Sequence, residues 1–195
     1  MSTSLAHRKI FNYDNFEESK IIPKLDKKYT YDNTVSAAGC LFYKKSNEKL
    51  ELLLISYDDP KWNKLDDFGG QVDDLDNTIY DTIIRETIEE TNNIIKKDFL
   101  EKMINDKQYR SFYNNLSKYY VITIEVDDNF YPDTKIFGNF ETKDKIGRSI
   151  RWYNYSDIKN KISNRLTSNK EIINYLNKKY PPSCIKHTEK TCYKM

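Results

Sequence analysis

Arg85, Glu86, Glu89 and Glu90 are the residues of this chain whose types and spacing could do chemistry. If the segment is helical, the three glutamates stand at i, i+3 and i+4 and share one patch. Like charges at that spacing repel by about a few tenths of a kcal/mol per pair, so something must offset them. A divalent cation would do so, because hard ions such as Mg²⁺ choose carboxylate oxygens. The plainer alternative is an acidic helix face left in water. Two features weigh toward a site: Gly69-Gly70 upstream and Arg85 directly before the first Glu.

These residues need a helix to present them. Thr78 opens an apolar-periodic run and Asp81 follows three residues later, a capping box with Asp in place of Glu or Gln. Tyr80, Ile84, Thr87 and Thr91 then recur at helical spacing as one inward face, flanked by Ile88. Asn92-Asn93 suits the stop, since Asn tolerates the left-handed conformation that closes a helix.

The stretch from Gly70 to Asn93 resembles the signature of the Nudix hydrolase family: G, five residues, E, seven residues, then R-E-U-x-E-E-x-G-U, with U bulky and apolar. Arg85-Glu86-x-x-Glu89-Glu90 matches fully. The departures are Asp76 in place of Glu, eight residues in place of seven between Asp76 and Arg85, Thr87 at an apolar position, and Asn92 in place of the second glycine. Thr87 can still pack through its methyl group.

The resemblance implies an α/β (α+β) fold, an α/β/α sandwich around a mixed β-sheet with a loop–helix–loop catalytic motif. It implies that Glu86, Glu89 and Glu90 are metal ligands, with the backbone carbonyl of Gly69 or Gly70 beside them. Arg85 would pair with a loop carboxylate, and the extra residue leaves Asp73, Asp74 and Asp76 all as candidates. The implied cofactor is Mg²⁺ or Mn²⁺, and the implied reaction is hydrolysis of a nucleoside diphosphate linked to another moiety. Metal ions would neutralise the phosphate oxygens and lower the pKa of a bound water. In several members the general base is a Glu shortly before a late-strand Trp. Here Glu141 and Asp144 are the nearest acids upstream of Trp152, Glu125 lies on the preceding strand, and Glu86 itself competes for the role.

The leading expectation is therefore a pyrophosphohydrolase acting on a nucleoside triphosphate, oxidised or not, or on a nucleoside diphosphate derivative. An RNA 5′-pyrophosphohydrolase or decapping enzyme is the alternative, and RNA the alternative partner. It would show a basic surface and strong salt dependence; the Lys-rich segments 18–28 and 159–179 leave it open. A non-catalytic nucleotide-binding module is a third reading, opposed by the intact glutamate set. For substrate contacts, Trp62 could stack on a base or pack under the glycine loop. Arg148 and Arg151 draw notice because Arg is rare, six against 26 Lys, and suits bidentate phosphate contacts. The plainer alternative for both is a surface strand.

The remaining elements are read from periodicity. Val35–Tyr43 and Leu50–Tyr57 form a hairpin of buried strands, 98–114 a second helix, and Lys118–Val126 a strand. Segment 129–146 is loop, Ser149–Tyr155 a strand, then a short helix capped by Ser156 or Asp157 and an amphipathic helix over Glu171–Lys179. Residues 1–33 read as an N-terminal extension, 34–180 as the catalytic domain and 181–195 as a tail. The extension could support a homodimer. His7 and His187 fall in the terminal segments and take no role.

Composition sets the remaining bounds. With 195 residues and net charge +2, the chain is one domain whose global charge selects no partner. Mean hydropathy is −0.83, but aromatics at 14% can furnish a core. No apolar run is long enough for a membrane span and the N-terminus carries no apolar signal core, so no membrane partner is expected. Cys40, Cys184 and Cys192 are odd in number and widely spaced, which points to an intracellular, reducing, cytoplasmic setting.

Overall fold

A computed structural model describes residues 34–180 together with the pair Phe11–Asn12. The proposed extension and tail, with both histidines, lie outside the described residues apart from that pair. Phe11–Asn12 (β1) runs antiparallel to Thr34–Val35 (β2).

The main sheet is built from apolar runs buried on both sides. Ala37–Ser46 (β3) and Lys49–Tyr57 (β4) form the expected hairpin, its turn closed by Asn47 and Glu48 at φ of 49° and 62°. Leu65–Asp66 (β5) pairs with β4, and Phe68–Gln71 (β6) pairs with β3. After a helix over Ile79–Glu90 (α1) and a second over Lys97–Asn105 (α2) come Arg110–Asn114 (β7) and Tyr119–Glu125 (β8). Phe140–Glu141 (β9) and Ile146–Asn154 (β10) complete the sheet. Its order is β7-β8-β3-β4-β10-β9; β3 and β8 are parallel and the other pairings antiparallel. Three helices finish the domain: Tyr155–Ile158 (α3), Asn164–Thr167 (α4) and Lys170–Lys179 (α5).

Strand alternation divides the core in two. Leu53 and Ile55 of β4 join Phe42, Ile122 and Ile150 on one face, under Ile79, Tyr80 and Ile83 of α1 and Leu100 and Ile104 of α2. Leu52 and Leu54 join Leu41, Tyr43 and Val121 on the other, under Ile158, Leu166, Ile172 and Leu176 of α3–α5. The result is the α/β/α sandwich with a mixed sheet that the sequence led us to expect. Cys40 is buried in the first core, and burial pushes its thiol well above the ordinary value.

Three expectations need correction. The helix expected over 98–114 ends at Asn105, and Lys107 turns the chain at φ 54°. Arg110–Asn114 then alternates and pairs with β8, a non-local partner invisible to a helical window. The stretch 129–146 is not all loop: it holds a 3-10 turn at Thr134–Phe137 and strand β9. The cap of α3 is Asn154, whose side chain accepts from the Ser156 N–H, rather than Ser156 or Asp157.

Candidate active site

Helix α1 carries the candidate residues, and both its ends are locked. The Thr78 hydroxyl accepts from the Asp81 N–H at 3.2 Å, and the Asp81 carboxylate accepts from the Thr78 N–H at 2.8 Å, closing the capping box. At the other end Asn93 N–H reaches Ile88 O at 2.7 Å and Asn92 N–H reaches Glu89 O at 3.0 Å, the paired bonds of a Schellman close. Asn92 and Asn93 take φ of 50° and 59°, as the sequence suggested. Thr87 is fully buried; its hydroxyl donates back to Ile83 O at 2.7 Å, leaving its methyl group to pack.

Arg85 ties this helix to the loop before it. Of the three candidate partners, Asp76 is the one it grips: Nε to Oδ1 at 3.0 Å and Nη2 to Oδ2 at 2.9 Å. Asp76 Oδ2 also accepts from the Asp73 N–H and the Thr82 hydroxyl, so one carboxylate organises the whole enlarged loop. Burial alone would raise the Asp76 carboxyl, but the Arg85, Asp73 and Thr82 hydrogen bonds hold it below its ordinary value. Arg85 Nη2 further donates to Gln71 O at 2.8 Å, joining helix to β6.

The glycines clear space. A Cβ on Gly70 would lie 2.5 Å from a Glu86 carboxylate oxygen, so the bare Cα lets that carboxylate lie against the strand. A Cβ on Gly69 would meet the Tyr119 hydroxyl at 2.3 Å. The Gly69 carbonyl accepts from Arg165 Nη1 at 3.0 Å.

The three glutamates sit in three different environments. Glu86 Oε1 accepts from Arg85 Nη1 at 2.6 Å. Glu89 Oε2 accepts from the same Nη1 at 3.3 Å and from Lys143 Nζ at 2.6 Å. Glu90 is only 6% exposed; its Oε1 accepts from the Tyr57 hydroxyl at 2.9 Å, and its Oε2 is buried with no hydrogen-bond partner among the described residues. Burial pushes the Glu90 carboxyl well up; Arg165 opposes this, while Glu86 adds to it. Burial likewise raises Glu86, against the pull of Arg85.

Among the described residues no three His, Cys, Asp or Glu side chains converge as an ion cage; Arg85 contacts Glu86 and Lys143 contacts Glu89. The donor set nevertheless fits a hard divalent cation. The atoms on offer are carboxylate oxygens, one of them buried with no partner among the described residues, beside a Cβ-free backbone.

Beneath the glutamates lies a buried polar cluster that sequence reasoning missed. Arg165 donates Nε to Asp67 Oδ1 at 2.8 Å and Nη2 to Asp67 O at 2.8 Å, and its guanidinium lies 4.9 Å from the Tyr119 ring centroid. The Tyr119 hydroxyl donates to Asp67 Oδ2 at 2.7 Å. Arg165 thus fixes the chain from Asp67 to Gly69 from below. The scarcity of Arg drew attention to Arg148 and Arg151, and applied evenly it would also have flagged Arg165.

The other sequence candidates do not all join the glutamates. Glu141, on β9, is 4% exposed; burial raises its carboxyl, Asp144 and Glu89 of the cluster add to the rise, and Arg148 opposes it. Arg148 has no exposed surface, so the surface-strand alternative fails for it. Its Nη1 donates to Phe137 O and Gly138 O, both at 3.1 Å, and its Nε and Nη2 are buried without hydrogen-bond partners among the described residues. Arg151 is exposed and, three residues along β10, points to the opposite face from Arg148, away from α1. Trp62 is 61% exposed and leans, with ring centroids 6.2 Å apart, on Tyr57, the residue whose hydroxyl donates to Glu90. Glu125 bonds Lys179 and Tyr180 instead of joining the glutamates.

No protein-family model matches this chain, and no curated protein does. Among solved structures, the chain is similar to an Ap4A hydrolase from C. elegans, crystallised as a binary complex. Identity is 19%, over 75% of this chain and 99% of that one, with a TM-score of 0.43. It is also similar to the NUDIX domain of Shewanella oneidensis NrtR in complex with ADP ribose, at 12% identity over 78% and 99% of the two chains, TM-score 0.47. A third is a bifunctional NMN adenylyltransferase/ADP ribose pyrophosphatase from Francisella tularensis, complexed with AMP and a Mn ion. It shares 17% identity, over 78% of this chain and 44% of that one, TM-score 0.45. No helix among the described residues is long and apolar enough to cross a membrane.

Proposed function

We propose that the chain is a Nudix-type pyrophosphohydrolase, cleaving the phosphoanhydride bond of a nucleoside triphosphate or nucleoside diphosphate derivative with Mg²⁺ or Mn²⁺. One observation carries the reading. Asp76 and Arg85 lock α1 to the loop, Glu86 lies against the Gly70 backbone, and on the same helix Glu90 keeps a buried oxygen with no partner among the described residues. Buried like charges without enough counter-charge are costly unless paired or bound to metal.

Glu86, Glu89 and Glu90 would hold the cation, which when bound supplies charge neutralisation and water activation. Arg85 keeps the helix in register with the loop. Tyr57 orients Glu90 through its hydroxyl. Glu141, buried and raised in pKa, is suited to take a proton from water as general base. Trp62, largely exposed, offers a stacking face for a base. A free nucleotide as substrate accords with the cytoplasmic setting expected from the cysteines.

The test is phosphate and pyrophosphate release from nucleoside triphosphates, ADP-ribose, dinucleoside polyphosphates and capped RNA, with Mg²⁺ and with Mn²⁺. Glu89→Gln and Glu90→Gln serve as controls. Turnover of one substrate class, abolished in both controls, is expected. Turnover surviving in the controls would remove the ligand assignment. Selective turnover of capped RNA would move the function to the alternative substrate.

A further inference from the structure

We propose that Asn92 is a positioning residue, clamping segment 137–142 to the end of α1 so that Glu141 is held at the glutamate cluster. The inference rests on the pyrophosphohydrolase reading of that cluster.

The backbone at position 92 needs only a residue that accepts positive φ, and glycine would do that best. The side chain has other work. Its Nδ2 donates to Phe140 O at 2.8 Å and, more weakly, to Phe137 O at 3.4 Å. Its Oδ1 accepts from the Thr142 N–H at 3.0 Å. Phe140 and Thr142 are the two chain neighbours of Glu141, so one carboxamide grips the backbone on both sides of that residue across 48 and 50 positions of sequence.

The segment's other ties lie within its own hairpin: the Arg148 N–H donates to Asn139 O at 3.0 Å, and the Glu141 carboxylate accepts from the Asp144 backbone. Strand β9 is two residues long, at the edge of the sheet, paired only through Ile146↔Glu141 and Gly147↔Phe140. Arg148 secures the Phe137 and Gly138 carbonyls further back. The Asn92 clamp lies two residues beyond Glu90 on the same helix end, so it ties the proposed base to the proposed metal ligands through one rigid element. The substitution that departs from the Nudix pattern thus carries a contact that glycine cannot make.

The experiment uses the full chain and the substrate found in the panel, with Mn²⁺. Asn92→Gly keeps the backbone conformation and removes the clamp. We expect kcat to fall roughly tenfold to a hundredfold from misplacement of the base. KM and Mn²⁺ affinity should stay within about twofold, because neither the proposed stacking face nor the ligands change. The Thr142 amide should exchange its hydrogen faster. Combined with Glu141→Gln, the variant should be no slower than Glu141→Gln alone, since the clamp acts through that residue. Asn92→Asp keeps the acceptor but sets a carboxylate against the Phe140 carbonyl; it should lose kcat likewise, and it is the variant to read where glycine weakens the fold. Wild-type kcat in both variants, or a double variant slowed by the product of the two single effects, would overturn the proposal. A wild-type chain that turns over no substrate would instead bring down the reading of the cluster, and the clamp's catalytic role with it.

Discussion

Replacing Arg165 with Met should be the most damaging single change outside the glutamates. Arg165 makes three hydrogen bonds of 2.8–3.0 Å to the chain between Asp67 and Gly69. Without it, Asp67, which has no exposed surface, keeps only the Tyr119 hydroxyl, and two backbone carbonyls lose a donor. Removing one partner from a buried ion pair costs about 3–5 kcal/mol, because the remaining charge is stranded. For a domain of this size that lowers Tm by roughly 6–20 °C. The pH dependence has a definite sign. Burial raises the Asp67 carboxyl and Arg165 opposes that rise, so loss of Arg165 moves it further up. A carboxyl raised on folding contributes stability below its unfolded value and loses it as pH climbs through its folded value. The Arg165→Met deficit should therefore be greatest near neutral pH and shrink as pH falls toward about 4. Urea denaturation followed by circular dichroism at pH 5 and pH 7.5 measures both effects. A loss under about 1 kcal/mol at pH 7.5, or a deficit that grows on acidification, would refute the buried-charge account.

Gly70→Ala should fold with little loss, since the clash falls on the end of the Glu86 side chain, yet weaken Mn²⁺ binding about tenfold or more; electron paramagnetic resonance titration reads this, and unchanged affinity would count against Glu86 as a ligand. Asp76→Asn removes the paired charge on Arg85 and should cost about 2 kcal/mol at neutral pH by urea denaturation. The Asp76 carboxyl is held below its ordinary value, so its contribution is present above about pH 4 and fades as pH falls through the folded value; the gap between wild type and variant should close in acid. Trp62→Ala, at an exposed position, should leave stability within about 0.5 kcal/mol. It should raise KM roughly tenfold if the ring stacks on a base, and steady-state kinetics beside a thermal melt would separate the two effects.

What the sequence determined by itself was local. The capping box of Thr78 and Asp81, the Asn-Asn stop, the helical spacing of Glu86, Glu89 and Glu90, and the doubly buried strands β3, β4 and β8 all follow from residue types a few positions apart. The layered architecture was implied by the resemblance of Gly70 to Asn93 to a family signature, not by these local signals. The tertiary structure decided whatever depends on partners distant in sequence. Asp76 became the Arg85 partner over Asp73 and Asp74 because it also collects the Asp73 amide and the Thr82 hydroxyl. Arg110–Asn114 became a strand because β8 lay open to pair with it. Arg165 met Asp67 across 98 positions, and Asn92 met Thr142 across 50. The physical reason is the same in each case. A turn or cap is fixed by hydrogen bonds within one or two turns of chain, whereas a buried charge or an edge strand is fixed by whichever groups the folded core brings against it.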